Sequence, residues 1–317
     1  MKKKLENRKN NKSIIVSTLI FVITFIAMAG YLIYFNLTQA ESIINNSYNK
    51  RQGVLSRRTI RGSILSDDKT KLAVTNVDDD GNETRYYPYS GLFSHTIGYL
   101  NNGGYGLESL YGYYMLHSNQ NFFEQIGNDL SGNRNTGDNV VTTLNVGLQK
   151  ACYDALGSNR GAVIVMEPST GKILAMVSKP DFDPNTLAAN WSQITGEGSD
   201  SVLVNRATQG LYPPCSTFKL ITMLEYLREH KNDYGQYHYI CDGTYELGNN
   251  TINCVRTTAH GDVDLFSSLA VSCNCSFINI GLSLDLDRYK KTAEKMLFNK
   301  ELPTNLEYNK SRFVLNG

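Results

Sequence analysis

The sequence predicts an α+β protein held at a membrane by one N-terminal helix. Three observations lead there: an uncharged apolar run from Ile14 to Phe35 behind a basic tail, an apolar strand pair around 162–177, and later segments with apolar residues at helical spacing. The 317 residues suffice for an anchor plus one or two folded domains. Lysine plus arginine (31) nearly balance aspartate plus glutamate (30), so the overall charge offers no attraction for nucleic acid and no such partner is expected.

The elements follow in chain order. Residues 1–12 carry Lys2, Lys3, Lys4, Arg8, Lys9 and Lys12 against one acid, Glu6, and read as a cytoplasmic tail. Residues 13–36 read as a transmembrane anchor, since a helix rising ~1.5 Å per residue over that run spans a hydrocarbon core of roughly 30 Å. The bulk of the chain is then expected outside the cell membrane. A cleaved signal peptide is the competing reading, with Thr38-Gln39-Ala40 as the cut and Glu41 as the new N-terminus, but the apolar run exceeds the ~7–15 residues of an ordinary signal core. From Thr38 to about Lys50 a helical stalk is expected.

An outer domain over 37–136 is expected next, opening on the strand-like Arg57 to Leu65 and a charged turn, Ser66-Asp67-Asp68-Lys69. The Asn- and Gly-rich stretch from Gly127 to Gly137 reads as a linker. The second domain, 137–317, begins with a strand from Val140 to Leu144 and a helix from Val146 to Leu156, with Asn145 before it and Gly157 after it. A hairpin then joins Ala162–Met166 to Lys172–Val177 through Glu167-Pro168-Ser169-Thr170-Gly171. Helices are predicted over Thr217–Glu229, Leu265–Ile280 and Leu284–Leu297.

All six cysteines follow the anchor: Cys152, Cys215, Cys241, Cys254, Cys273 and Cys275. Cys241 and Cys254 bracket turn-rich residues that can bring them within bridging distance, which leaves a disulfide and a pair of free thiols both open for them. A metal site is not expected, because neither a C-x-x-C pair nor a His-x-x-x-His partner appears. No cofactor is expected either. His260, the most interesting of five scattered histidines, reads as structural.

The sharpest chemical feature is Tyr212-Pro213-Pro214-Cys215-Ser216-Thr217-Phe218-Lys219, in which a serine precedes a lysine by three residues at a helix start. The same spacing recurs at Ser47/Lys50, Ser66/Lys69 and Ser169/Lys172, but only Ser216 follows two prolines and opens a helix with an apolar face. There the lysine amine can reach the serine hydroxyl, making a nucleophile and its base, while unsatisfied N–H groups of the first turn suit an oxyanion. To act as a base near pH 7 the lysine must fall by ~3 units from ~10.4, a differential of roughly 4 kcal/mol. Ser272-Cys273-Asn274 adds a hydroxyl able to relay protons and an amide able to hold a peptide. Ser47-Tyr48-Asn49 and Ser131-Gly132-Asn133 share its spelling, so its weight comes from the pairing.

These elements resemble the S-x-x-K and S-x-N motifs of penicillin-recognising acyl-serine enzymes. Arg61-Gly62-Ser63-Ile64, Ile97-Gly98-Tyr99, Gly106-Leu107-Glu108, Thr143-Leu144-Asn145 with Leu148-Gln149, the hairpin, Pro180 to Asn185 and Asn205-Arg206-Ala207 follow in the order of class B penicillin-binding proteins. The matching elements span about 57 to 280. The resemblance implies a pedestal of the dimerisation type and a β-lactamase-like serine transpeptidase domain, with helices against an antiparallel sheet. By position it implies Ser216 as nucleophile, Lys219 as its activator, Ser272 as proton relay and Asn274 as substrate holder. The implied activity is peptidoglycan D,D-transpeptidation: stem peptides ending in D-Ala-D-Ala are substrates, β-lactams trap the serine, and cell-wall synthesis proteins are partners.

Two departures matter. The family's third motif, K-T-G, does not occur between Ser272 and Gly317, so a C-terminally truncated chain is expected, with a hairpin short of partner strands. Cys215 stands where the family has glycine and is expected to tighten the approach to the nucleophile. An inactive fragment or envelope scaffold is the alternative function, and a β-lactam sensor or β-lactamase a third.

Overall fold

A computed structural model describes residues 2–38, 55–196 and 198–315. The stalk expected beyond Thr38, the alternative N-terminus at Glu41 and the Ser47/Lys50 and Ser47/Asn49 pairs lie outside these residues. The chain forms two compact units, 1–207 and 208–317.

The first unit begins with α1 (Lys2–Thr38), whose segment Ile14–Thr38 is apolar, unburied and long enough to cross a membrane. The expected strand 57–65 is divided into β1 (Thr59–Ile60) and β2 (Ile64–Leu65). Gly62 lies between them, where a Cβ would stand 1.9 Å from the Asp138 carbonyl oxygen, so the backbone approach there admits glycine alone. β3 (Lys71–Val77) and β4 (Glu83–Tyr86) continue antiparallel from β2.

The stretch read as a linker is structured. A helix covers Phe122–Leu130, and β5 (Asn135–Thr136) pairs in parallel with β1, because backbone pairing satisfies what the polar side chains there do not advertise. β6 (Val140–Val141) pairs in parallel with β2, completing a four-stranded sheet in the order β4-β3-β2-β6. Its core holds Ile64, Leu72, Ala73, Tyr87, Phe93, Ile97, Met115 and Leu144. Beside it the fully buried Glu108 receives Arg61 Nε at 3.0 Å and Arg85 Nε at 2.7 Å.

α2 (Val146–Leu156) forms over its predicted span; Asn145 Oδ1 accepts from Leu148 N at 2.9 Å and Gly157 takes φ +57 at the exit. The hairpin follows as β7 (Gly161–Met166) and β8 (Ile173–Lys179), antiparallel with Ile164 opposite Met176. α2 docks on it through Gln149, whose buried amide bonds Met176 N and O and the Leu92 carbonyl, each at 2.8 Å.

The second unit is built on α3 (Lys219–Glu229). β9 (His238–Cys241) is followed by the hairpin β10 (Thr244–Leu247) and β11 (Asn250–Asn253), and β12 (Gly261–Asp264) returns antiparallel to β9. The helix predicted over 265–280 is two helices, α4 (Leu265–Ala270) and α5 (Asn274–Ser283). Ser272 between them sits at φ +54, which interrupts helical hydrogen bonding. α6 (Leu286–Lys295) closes the bundle. Met223, Tyr226, Leu265, Phe277, Ile280, Leu284 and Tyr289 form the core that fixes α3 against α5 and α6.

Candidate active site

The two motif segments meet within the second unit. Pro213 and Pro214 cannot continue a ladder or a helix, and Cys215 turns the chain at φ +49 into a 3-10 turn over Cys215–Phe218. In a 3-10 turn residues three apart eclipse, so exposed Ser216 and half-buried Lys219, the first residue of α3, share one side. Opposite them, the break between α4 and α5 presents Ser272 and Asn274. Ser272 N bonds the Leu269 carbonyl at 3.0 Å and Cys273 N the Ser268 carbonyl at 2.9 Å, which fixes that turn.

One hydrogen-bonded line joins all four expected site residues. Ser272 Oγ donates to Ser216 Oγ at 3.0 Å, and Lys219 Nζ donates to Ser272 Oγ at 3.0 Å. Lys219 Nζ also donates to Asn274 Oδ1 and the Ser272 carbonyl, each at 2.7 Å, which occupies all three ammonium protons. Asn274 Nδ2 donates to the Asn253 carbonyl at 2.9 Å. The lysine therefore connects to Ser216 through the Ser272 hydroxyl. Burial pushes the Lys219 ammonium below the ordinary lysine value, partly offset by the neighbouring Cys273, Cys254 and Cys275 thiols. The other S-x-x-K pairs within the described residues stay local: Ser66 Oγ bonds Asp68 in its own turn, and Ser169 lies in the β7–β8 turn.

Beside this line lies a group of side chains that sequence spacing did not disclose. Cys241, Cys254, Cys273 and Cys275 are 1%, 2%, 0% and 0% exposed and form one cluster, with half-buried His260 at its edge. The Cys241 and Cys254 sulfurs are 3.8 Å apart and both thiols are free, the second of the two states the sequence leaves open: β9 and the end of β11 bring the pair into contact, and Cys254 also meets Cys273 at 3.8 Å and Cys275 at 3.5 Å. At Cys241 burial opposes ionisation, but hydrogen bonds from His260 outweigh it and bring the thiol down. Cys254 is brought down likewise by Cys275 and Asn274 against its burial. Burial above all pushes Cys273 and Cys275 up to about 12. Cys241, Cys254, His260 and Cys273 can hold a metal ion, their donor atoms all lying within 4.8 Å of one another. Four separate segments supply them, which is why no short motif marks the group.

Comparison with known proteins gives this geometry a family. Residues 161–312 match the penicillin binding protein transpeptidase domain, and residues 61–140 match the penicillin binding protein A dimerisation domain. The chain belongs to the penicillin-binding proteins. Within that family it is 34% identical over 232 residues to the peptidoglycan D,D-transpeptidase PbpA of Mycolicibacterium smegmatis, covering 67% of this chain and 46% of that one. It is 27% identical over 260 residues to the peptidoglycan D,D-transpeptidase MrdA of Acinetobacter baumannii, covering 70% of this chain and 38% of the relative. The chain thus spans less than half the length of these curated relatives. Among solved structures, penicillin-binding protein A of M. tuberculosis in its imipenem acyl-enzyme complex superposes with a TM-score of 0.72 at 28% identity, over 81% of this chain and 63% of that one. The D,D-transpeptidase domain of a peptidoglycan glycosyltransferase from Eggerthella lenta gives 0.69 at 33% identity, over 81% and 58%.

Proposed function

We propose that this penicillin-binding protein is a peptidoglycan D,D-transpeptidase working through an acyl-serine at Ser216. The observation that carries the reading is the line Ser216–Ser272–Lys219–Asn274, a nucleophile linked by a hydroxyl to a lysine whose ammonium is destabilised. Neutral Lys219 takes the Ser216 proton through Ser272. Ser216 Oγ attacks the carbonyl of the penultimate D-alanine, whose developing oxyanion calls for a backbone N–H from the start of this turn other than Thr217 N, which already bonds the Pro214 carbonyl at 3.2 Å. As the tetrahedral adduct collapses, the C–N bond to the terminal D-alanine breaks and its nitrogen takes the proton back from Lys219 by the same relay. The amine of a neighbouring stem peptide then attacks the ester, its proton passes to Lys219 and back through Ser272 to the departing Ser216 Oγ, and the C–O bond breaks as the cross-link forms. Asn274 keeps one amide proton and an oxygen lone pair for the substrate backbone beyond those it spends on Asn253 and Lys219.

The same serine opens a β-lactam ring and keeps the product as an ester. The domain assignment supporting this reading is tail 1–12, anchor 13–36, pedestal with stalk 37–136 and transpeptidase domain 137–317. With the basic tail inside, α1 places the bulk of the chain outside the membrane, where stem peptides and cell-wall synthesis proteins are met. The test is covalent labelling of the full chain, purified in detergent, by a fluorescent penicillin. Labelling that vanishes in Ser216→Ala is expected; a folded chain that stays unlabelled favours a scaffold.

A further inference from the structure

We propose that the first unit binds a small monocarboxylate, of the kind a short peptide carries at its free C-terminus, in the cavity walled by Arg61, Arg85 and Tyr87. The cavity measures about 300 Å³. Buried Arg61 and Tyr87 and half-buried Arg85 form its inner wall, while exposed Glu83, Thr84 and Asn101 stand at its mouth. The strand register sets Thr75 of β3 opposite Arg85 of β4, and both line the space.

Charge selects the ligand. Two guanidiniums share one carboxylate, Glu108, so this buried group carries a net charge of +1. At the mouth Glu83 pairs with Arg134 at 2.5 Å and adds nothing net. One bound carboxylate brings the group to neutrality, whereas a dianionic phosphate leaves it with buried negative charge in excess. Burial above all pushes the Arg61 guanidinium down, Glu108 opposes this and Arg85 adds to it, so a second anion relieves Arg61.

Uncommitted donors face the same space. Arg61 spends Nε on Glu108 Oε2 at 3.0 Å and Nη2 on the Glu108 carbonyl at 2.5 Å, and Nη1 meets no acceptor among the described residues. Thr75 Oγ1 accepts from Arg85 Nη1 at 2.9 Å and keeps its own proton. Tyr87 is 5% exposed, yet its Oη has no hydrogen-bond partner among the described residues. Burial above all, then Glu108, raises the Tyr87 phenol, which keeps it a donor. The Leu100 amide lies near Oη without making a hydrogen bond, and Leu100, Arg61 and Arg85 all line the cavity, which turns Oη toward it. A buried hydroxyl without a partner is destabilising, and a carboxylate oxygen supplies the partner.

The wall also joins the two matched domains. Pro184 and Asn185 fall within 161–312 and the other lining residues within 61–140. Asn185 already clasps Tyr87, through Tyr87 N at 2.9 Å and the Tyr87 carbonyl at 3.0 Å, and a bound carboxylate reinforces that clasp. The site stands independently of the acyl-transfer reading above.

The experiment is calorimetric titration of the full chain, in detergent at neutral pH and low salt, with N-acetylglycine, N-acetylglycinamide, acetate and inorganic phosphate. One equivalent of N-acetylglycine is expected to bind, at least ~10-fold more tightly than the neutral amide and more tightly than phosphate. Tyr87→Phe is expected to weaken binding ~10-fold while the ligand-free variant melts no lower than wild type, since only an unpartnered hydroxyl is lost. Glu83→Gln removes negative charge at the mouth and is expected to tighten binding ~3-fold, a gain that no folding defect produces. Lys219→Met is expected to keep the binding, which separates the cavity from the active site. N-acetylglycine binding more tightly than acetate upholds the site and identifies a peptide end; equal binding upholds it with a free small acid as ligand. No saturable binding to wild type, equal binding of acid and amide, full affinity in Tyr87→Phe or loss in a folded Lys219→Met overturns the site. Phosphate binding more tightly than either carboxylate overturns the ligand assignment.

Discussion

Lys219 is placed where its charge is held by three hydrogen bonds yet opposed by burial, and catalysis needs the opposition to prevail. Because its pKa is lowered, the fraction of neutral amine rises at a lower pH than for a free lysine, so the penicillin acylation rate should climb with pH through a midpoint below ~10.4. Stopped acylation assays across pH check this, and a flat profile would remove Lys219 as the base. Cys215 carries a different cost. Its φ of +49 is a left-handed value that a Cβ disfavours by ~1–2 kcal/mol, so Cys215→Gly should raise the melting temperature of the folded chain while keeping penicillin labelling. The four residues of the hydrogen-bonded line were readable because each motif lies within one short segment. The thiol group was not, since Cys241, Cys254, His260 and Cys273 become neighbours only after β9, β11, β12 and α5 are in place.

At the scale of elements, the capped helix α2 shows what local chemistry reveals. Asn145 and Gly157 mark its two ends in sequence, and the observed span agrees with them. What spacing does not show is its docking. Gln149 meets both backbone groups of Met176 and the Leu92 carbonyl from a fully buried position, so Gln149→Leu keeps the volume but strands those groups. The expected loss is about 2–3 kcal/mol, read as a lower urea midpoint at unchanged slope. The break between α4 and α5 escaped periodicity for a related reason. Apolar residues keep their helical spacing across 269–277, whereas the interruption is a backbone event at Ser272, locked by bonds from Ser272 N and Cys273 N to α4 carbonyls. The capping box at Asp264 and Ser267, at 2.7 and 2.8 Å, holds the other end of α4.

At the scale of the molecule, motif order along 57–280 disclosed the family, but the division at Ala207 and Thr208 has no compositional mark, because it reflects where packing thins rather than where residue types change. The first unit depends on a buried charge group that sequence shows only as Arg61 and Glu108 in separate motifs. Fully buried Glu108 is the shared counter-ion of Arg61 and Arg85 and balances one of their two charges, so Glu108→Ala leaves both guanidiniums without a carboxylate and should cost ~3–5 kcal/mol, enough to bring forward the unfolding of this unit in denaturant. Orientation is the remaining whole-molecule question, and it has a built-in reporter. Cys215 is the exposed thiol among the described residues, whereas the four clustered cysteines are buried and Cys152 is half-buried. If the basic tail is cytoplasmic and α1 crosses once, a membrane-impermeant maleimide should modify Cys215 in intact spheroplasts, and Cys215→Ser should abolish that labelling. Labelling that appears only after lysis would place the second unit inside the cell, away from any stem peptide, and the proposed transpeptidase function would fall with it.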